Sequence, residues 1–319
     1  MKSSMIRRQF VMMFLTLCVA GTAQAQYSST PNPDGTGQII VGNGTLGALN
    51  STSTPVALSA GGFDQVTLNI GSMATASGVD TIAFTTSNDT LVNNGTVIGQ
   101  DNASIGANGF NAISFTVAGA LTGENVTNNG TATGGMGGAA SVGSFVTAGN
   151  GGDGINFSGG SVSGITVLNT GNAVGGNGNA VSGGSVENDG GSGGAGILLS
   201  ATGSINGVTV TNSGKATGGD GGSAMDNLAF SGSGGDAITF SANTISNVTF
   251  ANSGLLTGGN GGPAGIATSL SIAGNGAAGV DFSAQGTLGN IALTNTGIAM
   301  GGNGGASNNP GNLSTGGNG

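Results

Sequence analysis

A degenerate repeat of about 42 residues constrains this chain more than any other feature of its sequence. Each unit contains an apolar-X-Phe-Ser step, a second apolar block, an Asn-X-Gly turn and a Gly-Gly-X-Gly-Gly run, in that order. The steps align as one apolar column, which consists of Phe84, Phe115, Phe157, Leu199, Phe240 and Phe282. The turns align as a second column, which consists of Asn93, Asn128, Asn169, Asn212, Asn252 and Asn295. Self-similarity at a fixed period predicts a solenoid, in which each unit stacks on its neighbours.

Apolar residues in each unit alternate with Ser, Thr, Asn or Gly, as in Ile238-Thr239-Phe240-Ser241. A period of two is that of a half-buried strand. Similar strands stacked in parallel ~4.8 Å apart would bury each Phe against the Phe of the next coil. The asparagines would then form an internal amide ladder. The predicted fold is all-β, a right-handed parallel β-helix (β-solenoid) built from ~42-residue Gly-rich repeats.

The number of coils in each repeat stays open at this point. A unit fits either one coil of roughly 22 residues with a Gly-rich excursion, or two coils of roughly 21 residues. Short alternating segments after the Gly runs, such as Leu228-Ala229-Phe230 and Leu270-Ser271-Ile272, fit the second arrangement.

Residues 1–25 are typical of a secretory signal peptide, since Lys2, Arg7 and Arg8 precede an apolar run and Ala23-Gln24-Ala25 follows it as a cleavage site. The Arg7-Arg8 pair leaves general secretory and twin-arginine export as alternatives, and a basic leader region is the simpler interpretation. We expect residues 26–65 to form an N-terminal cap with degenerate first coils, and residues 66–319 to form the β-helix repeat region. That region is expected to be truncated at its C-terminal end, because earlier units continue there into their next apolar step.

The charge balance excludes several classes of partner. Removal of the signal peptide leaves Lys215 as the only basic residue against 13 carboxylates, a formal net charge of −12, and leaves no Cys. Nucleic-acid binding depends on Lys and Arg that neutralise phosphates, so no nucleic acid is expected as a partner. No stretch after the signal peptide approaches the ~20 apolar residues of a transmembrane helix.

Catalytic groups are scarce. The chain has no His, which removes the Ser-His-Asp triad and the commonest general base. A glycosidase needs only two carboxylates, and Asp236 and Asp281 on neighbouring repeats are candidates. The carboxylates are otherwise scattered singly, as solubilising surface charges are. We therefore expect a non-enzymatic protein without a cofactor, and a polysaccharide-active β-helix enzyme is one alternative.

Calcium binding is the other alternative. The segments around Asp153 and Asp236 resemble the Gly-Gly-X-Gly-X-Asp nonapeptides of RTX-like calcium-binding β-rolls. Those proteins repeat the nonapeptide in tandem, whereas here one imperfect copy occurs in a repeat and Ala195 and Ala278 replace the Asp elsewhere. Asp153 and Asp236 are therefore weak calcium candidates.

A signal peptide followed by units such as Ile238-Thr239-Phe240-Ser241 to Gly262 resembles the passenger regions of Gram-negative autotransporters, over roughly residues 66 to 319. The resemblance implies a secreted or surface-displayed, adhesin-like protein at the cell surface, in the outer membrane or outside the cell. Its implied role is adhesion, display or self-association, with a glycan or protein receptor on a host or neighbouring cell. This chain differs from that family in showing no successive ~10-residue alternating strands of a translocator barrel.

Overall fold

The computed structural model describes residues 26–31, 37–50, 58, 64–140, 143–225, 228–265, 269–307 and 313–319. These described residues form 26 β-strands and no helix. In chain order the strands are β1 (Gln26–Pro31), β2 (Gln38–Asn43), β3 (Thr45–Leu46), β4 (Gln65–Leu68), β5 (Met73–Thr75), β6 (Ile82–Phe84), β7 (Thr90–Asn93), β8 (Thr96–Ile98), β9 (Ile113–Thr116), β10 (Ala120–Thr122), β11 (Asn125–Asn128), β12 (Thr131–Thr133), β13 (Gly143–Thr147), β14 (Ile155–Ser163), β15 (Thr166–Asn169), β16 (Asn172–Val174), β17 (Gly184–Asp189), β18 (Ile197–Asn212), β19 (Lys215–Thr217), β20 (Leu228–Phe230), β21 (Ile238–Asn252), β22 (Leu255–Thr257), β23 (Leu270–Ile272), β24 (Val280–Asn295), β25 (Ile298–Met300) and β26 (Leu313–Thr315).

The strands form three sheets, of which the first two extend along most of the stack and the third begins at β13. The first has 13 strands and contains the long strands β14, β18, β21 and β24; the second has eight, from β3 to β25; the third has five, from β13 to β26. Every strand pair is parallel except β1 with β2, which is antiparallel. Stacked parallel strands of this kind are typical of β-solenoids.

Each repeat makes a single coil. Ile197 in β18 pairs directly with Ile155 in β14 on one side and with Ile238 in β21 on the other. The second sheet has the same step, since Ala216 pairs with Ala173 and Leu256. The third sheet repeats it as well, and its strand β20, Leu228–Phe230, pairs with β17 and β23. The segments after the Gly runs therefore belong to the same coil as the long strand, and the two-coil alternative does not describe the structure.

Alternation along the long strands buries one face of the first sheet. In β21 the side chains of Ile238, Phe240, Ile245, Val248 and Phe250 are all 0–1 % exposed. Together with the alanine and leucine column of the second sheet, which includes Ala173, Ala216 and Leu256, they form one continuous hydrophobic core. Burial of such side chains is the main source of stability in a stack of short strands.

In the coils from β12 to β25, a glycine-rich arm that contains a strand of the third sheet follows the strand of the second sheet; residues 218–225 and 228–237 are the example. The arm has an outgoing run, 218–223, and a returning run, 231–236. In the outgoing run the N–H of Gly218 bonds to Thr257 O of the next coil, whereas the N–H of Gly219 bonds to Gly194 O of a returning run, both at 2.9 Å. The pattern recurs three residues later at Gly221 and Gly222. A repeat of three is that of the polyproline II helix, which makes no internal hydrogen bonds and leaves its backbone free for its neighbours.

Tight packing of these runs explains the Gly-Gly-X pattern. A methyl group added at Gly218 would overlap Gly235 O, and one added at Gly219 would overlap Gly176 O. The third position of each triplet, such as Asp220, is exposed and accepts a side chain. Glycine is thus required at two positions of three, because the backbones of adjacent runs approach too closely for a Cβ.

At the far end of the arms, the third sheet covers a second and smaller apolar cluster, which consists of Ala140, Val146, Ala148, Val181, Ala224 and Ala229. The alanines and Val181 of the outgoing runs pair with one another through parallel bridges from coil to coil. The coils that contribute to this cluster therefore have a large core in the body and a small one at the tip of the arm, separated by glycine.

At the N-terminal side of the stack, β1 lies antiparallel on β2. Tyr27 of β1 is 8 % exposed and its hydroxyl donates a hydrogen bond of 3.0 Å to Gly47 O. Burial raises the pKa of this phenol far above its ordinary value.

Candidate functional site

Internal side-chain ladders join the coils. The rings of Phe84 and Phe115 stack at 4.4 Å, those of Phe115 and Phe157 at 5.0 Å, and those of Phe240 and Phe282 at 4.6 Å. These distances are close to the strand spacing, so the coil pitch itself sets the stack. Leu199 occupies the same column between Phe157 and Phe240 and is fully buried.

The asparagine column forms a continuous chain of hydrogen-bonded amides, which are buried from Asn93 to Asn252 and exposed at Asn295. Each Nδ2 donates to the Oδ1 of the next coil at 2.7–2.8 Å, in the order Asn93, Asn128, Asn169, Asn212, Asn252 and Asn295. Some Oδ1 atoms also bind the turn that follows, as Asn93 does by accepting from the N–H of Gly95 at 3.0 Å. The Asn-X-Gly turn therefore satisfies its own backbone while it joins two coils.

Polar ladders also run along the outside of the arms. In the outgoing runs, Asn177 Oδ1 accepts the N–H of Asp220 at 2.8 Å, and Asp220 Oδ1 accepts the N–H of Asn260 at 2.7 Å. Asn260 Oδ1 in turn accepts from Asn303 at 2.9 Å. These side-chain acceptors were not predicted from the sequence. The available signal was that Asn or Asp recurs at the X position of the Gly-Gly-X triplets.

Asp153 and Asp236, the calcium candidates, lie in an equivalent ladder on the returning runs. Asp153 Oδ1 accepts the N–H of Ala195 at 2.8 Å, and Asp236 Oδ1 accepts the N–H of Ala278 at 2.7 Å. Asp236 Oδ2 also accepts from the hydroxyl of Thr239 at 3.0 Å. The two carboxylates stand two coils apart with Ala195 between them, and each already binds the backbone of the next coil.

An open polar groove follows this ladder, between the returning runs and the outer face of the long strands. Its volume is about 360 Å³. Its lining includes Asn150, Asp153, Ser192, Leu198, Asp236 and Thr239. Uncharged hydroxyl and amide groups alternate there with single carboxylates, a lining that can exchange hydrogen bonds with a polar ligand.

Asp153, which lines the groove, and Asp281, which pairs with the lining residue Thr239, both have a raised pKa. Burial, assisted by the charge of Asp80, raises the pKa of Asp153 to about 7, against the N–H bond from Ala195. Burial and the charge of Asp236 raise the pKa of Asp281 as well. Asp236 and Asp281, the candidate glycosidase pair, are thus close enough to repel one another.

Three further carboxylates, which we call the acid column, were not found from the sequence. They are Asp64, Asp89 and Glu124, and all are 0 % exposed. Their sequence spacings of 25 and 35 residues differ from the main repeat, so that an alignment on 42 residues does not bring them together. The available signal was their shared position directly before the strands β4, β7 and β11.

Within the described ranges, no group of three or more His, Cys, Asp or Glu side chains is arranged to hold a metal ion. Nor do the described residues include a helix with the length and apolarity needed to cross a membrane. In comparisons with known proteins, no family model, curated protein or solved structure matched this chain.

Proposed function

We propose that this protein is a non-enzymatic, exported passenger of the autotransporter type, displayed on the cell surface or released, which acts in adhesion, display or self-association. In this proposal the coils form a right-handed β-helix, the hand that parallel strand connections almost always adopt. The observation that carries the proposal is an unbroken stack of similar coils, joined in register from β6 to β24.

Such a stack supports an elongated display role. Its interior is filled by side chains such as those of the Phe and Asn columns, most of which are fully buried. Its exterior presents repeated Ser, Thr and Asn side chains, as in Thr209 and Thr211 of β18. Polar outer faces of solenoids bind partners over a large area.

The alternatives receive less support. Calcium sites in β-rolls use carboxylates from successive turns, whereas Asp153 and Asp236 are separated by Ala195 and accept backbone hydrogen bonds. Enzymatic cleavage of a glycan would need an acid and a nucleophile across one scissile bond. Asp281 lies near Asp236, and its substitution tests the enzymatic alternative.

The test of the proposal is localisation in the native cells, with antibody raised against residues 150–319. Protease is added to intact cells before fractionation, and a periplasmic protein serves as the control for cell integrity. We expect the antigen in the outer-membrane or medium fraction, and we expect the cell-bound part to be lost on protease treatment. Antigen that stays protected in the periplasm or cytoplasm would contradict surface display.

Activity is tested on the same purified protein. Wild-type and Asp281→Asn proteins are each incubated with neutral and acidic polysaccharides, and products are measured as reducing ends. We expect no cleavage by either protein. Cleavage by the wild type that Asp281→Asn abolishes would replace the passenger proposal by an enzymatic one.

A further inference from the structure

The acid column lies in the first coils, where three buried carboxylates occupy successive levels of the stack. Gln65 pairs with Thr90 and Thr90 with Asn125, so the residues directly before them, Asp64, Asp89 and Glu124, occupy one register position in successive coils. Coils are spaced by ~4.8 Å, so that neighbouring carboxyl groups lie within strong electrostatic range of one another.

Each carboxyl group bonds to the backbone of the preceding coil. Asp64 Oδ1 accepts the N–H of Gln38 at 2.9 Å, and Asp89 Oδ1 accepts the N–H of Asp64 at 2.7 Å. Glu124 accepts two, from the N–H groups of Asn88 at 2.9 Å and Asp89 at 2.8 Å. The column therefore joins four consecutive coils from β2 to β11.

The described groups that face Asp89 and Glu124 are acidic, polar or aliphatic. Asp89 is flanked by Asp64 and Glu124, and its Oδ2 accepts from the hydroxyl of Thr86 at 2.9 Å. On the far side of Glu124 the same register position holds Ile165. Among the described residues the one basic side chain is Lys215, which is exposed in the second sheet two coils beyond Glu124.

Burial and mutual repulsion both favour the protonated forms of Asp89 and Glu124. Desolvation raises the pKa of Asp89 to about 6, with a further contribution from the charge of Asp64, against hydrogen bonds from Asp64 and Thr86. Desolvation and then the charge of Asp89 raise the pKa of Glu124 to about 8, against its two N–H bonds. Later coils have no such groups, because the register position continues as Ile165, Val208 and Val248, all 0–1 % exposed.

We propose that Asp89 and Glu124 of the acid column form a proton-operated lock on the N-terminal coils, which holds the coils of β4, β7 and β11 together while the two groups are protonated and lets them open as they ionise. The folded coils retain protons that the unfolded chain releases near pH 4. The stability that these protons contribute is thus fully present below about pH 4, declines as the pH rises above that value, and is lost once the pH has passed the folded-state pKa values of about 6 for Asp89 and about 8 for Glu124. The later coils, with an aliphatic column, do not follow this change.

Hydrogen exchange of the mature chain, residues 26–319, tests the lock between pH 5 and 8.5. Rates are corrected for the intrinsic pH dependence of exchange, and amides of 65–93 are compared with those of 197–212. One linked proton changes an opening equilibrium by at most tenfold per pH unit. We expect protection of 65–93, relative to 197–212, to fall by about tenfold or more over this range.

Two variants separate proton binding from a general loss of structure. In Asp89→Asn the new amide keeps the acceptor for the N–H of Asp64 and can donate to Thr86, while it removes the central charge. This variant and Glu124→Gln are both expected to flatten the pH response, and exposed Asp220→Asn is the control that leaves it intact. Protection that is independent of pH in the wild type, or a response that survives in both variants, would overturn the proposal.

Discussion

Single residues of this protein are selected chiefly by their hydrogen-bonding capacity. Asn169 shows this: its Nδ2 donates to Asn212 Oδ1 at 2.7 Å and to Lys215 O at 3.1 Å, while its Oδ1 accepts from Asn128 at 2.7 Å. Only a primary amide can donate and accept at once in this geometry, because a carboxylate has no donor and an aliphatic side chain has neither group.

Asn169→Ala should therefore destabilise the stack by about 2–4 kcal/mol, because it leaves one buried donor and one buried acceptor without partners. Urea unfolding followed by circular dichroism measures this loss. The matched control is Asn129→Ala, whose exposed amide bonds to Asn94 at 2.8 Å and whose loss should cost less than about 0.5 kcal/mol. Equal effects of the two substitutions would show that the buried ladder contributes no special stability.

Some of the side-chain columns could be predicted from the sequence, and one could not. The Phe and Asn columns were predictable, because identical side chains recur at a constant spacing within strands of period two. The acid column was not, since the first coils are shorter and place Asp64, Asp89 and Glu124 at unequal intervals. Repeat alignment detects residues that share a period, whereas backbone register also aligns coils of different length.

The strands and the arms also differ in how well the sequence predicts them. The long strands, such as β21, follow directly from alternation, and their inward residues are the apolar ones. In the arms, apolar residues recur with neither the period of two of a strand nor the period of 3.6 of a helix. The sequence therefore predicts only turns or an excursion there. The arms have a period of three, Gly-Gly-X, which is visible in the sequence. Its meaning becomes clear only from the structure, in which neighbouring runs pack against one another.

Gly219→Ala tests this packing of the arms. A methyl group there would overlap the carbonyl oxygen of Gly176, so the backbones must separate and we expect a loss of about 2–3 kcal/mol or more in unfolding free energy. Gly119→Ala is the control, because a Cβ at Gly119 meets no atom within 4 Å. Thermal unfolding of both variants gives the comparison, and a Gly219→Ala protein as stable as the wild type would contradict close backbone packing.

At the scale of the whole molecule, the side-chain pattern does not distinguish one coil from two coils in each repeat. The pairing of the backbones does. All three sheets advance by one strand per repeat, including the third sheet at the tips of the arms. The molecule is therefore wide and short for its length, and the coils that contribute to the smaller apolar cluster each have two cores.

The most direct test of the account is the distance between spin labels placed on equivalent residues of distant coils. Asn125→Cys and Ala292→Cys suit this purpose, since both side chains are exposed and four coil steps separate them through Thr166, Thr209 and Thr249. Residues 26–319 contain no Cys of their own. At one coil per repeat, double electron–electron resonance should give about 19 Å, four steps of ~4.8 Å. A distance of about 38 Å, as two coils per repeat would produce, would contradict the account.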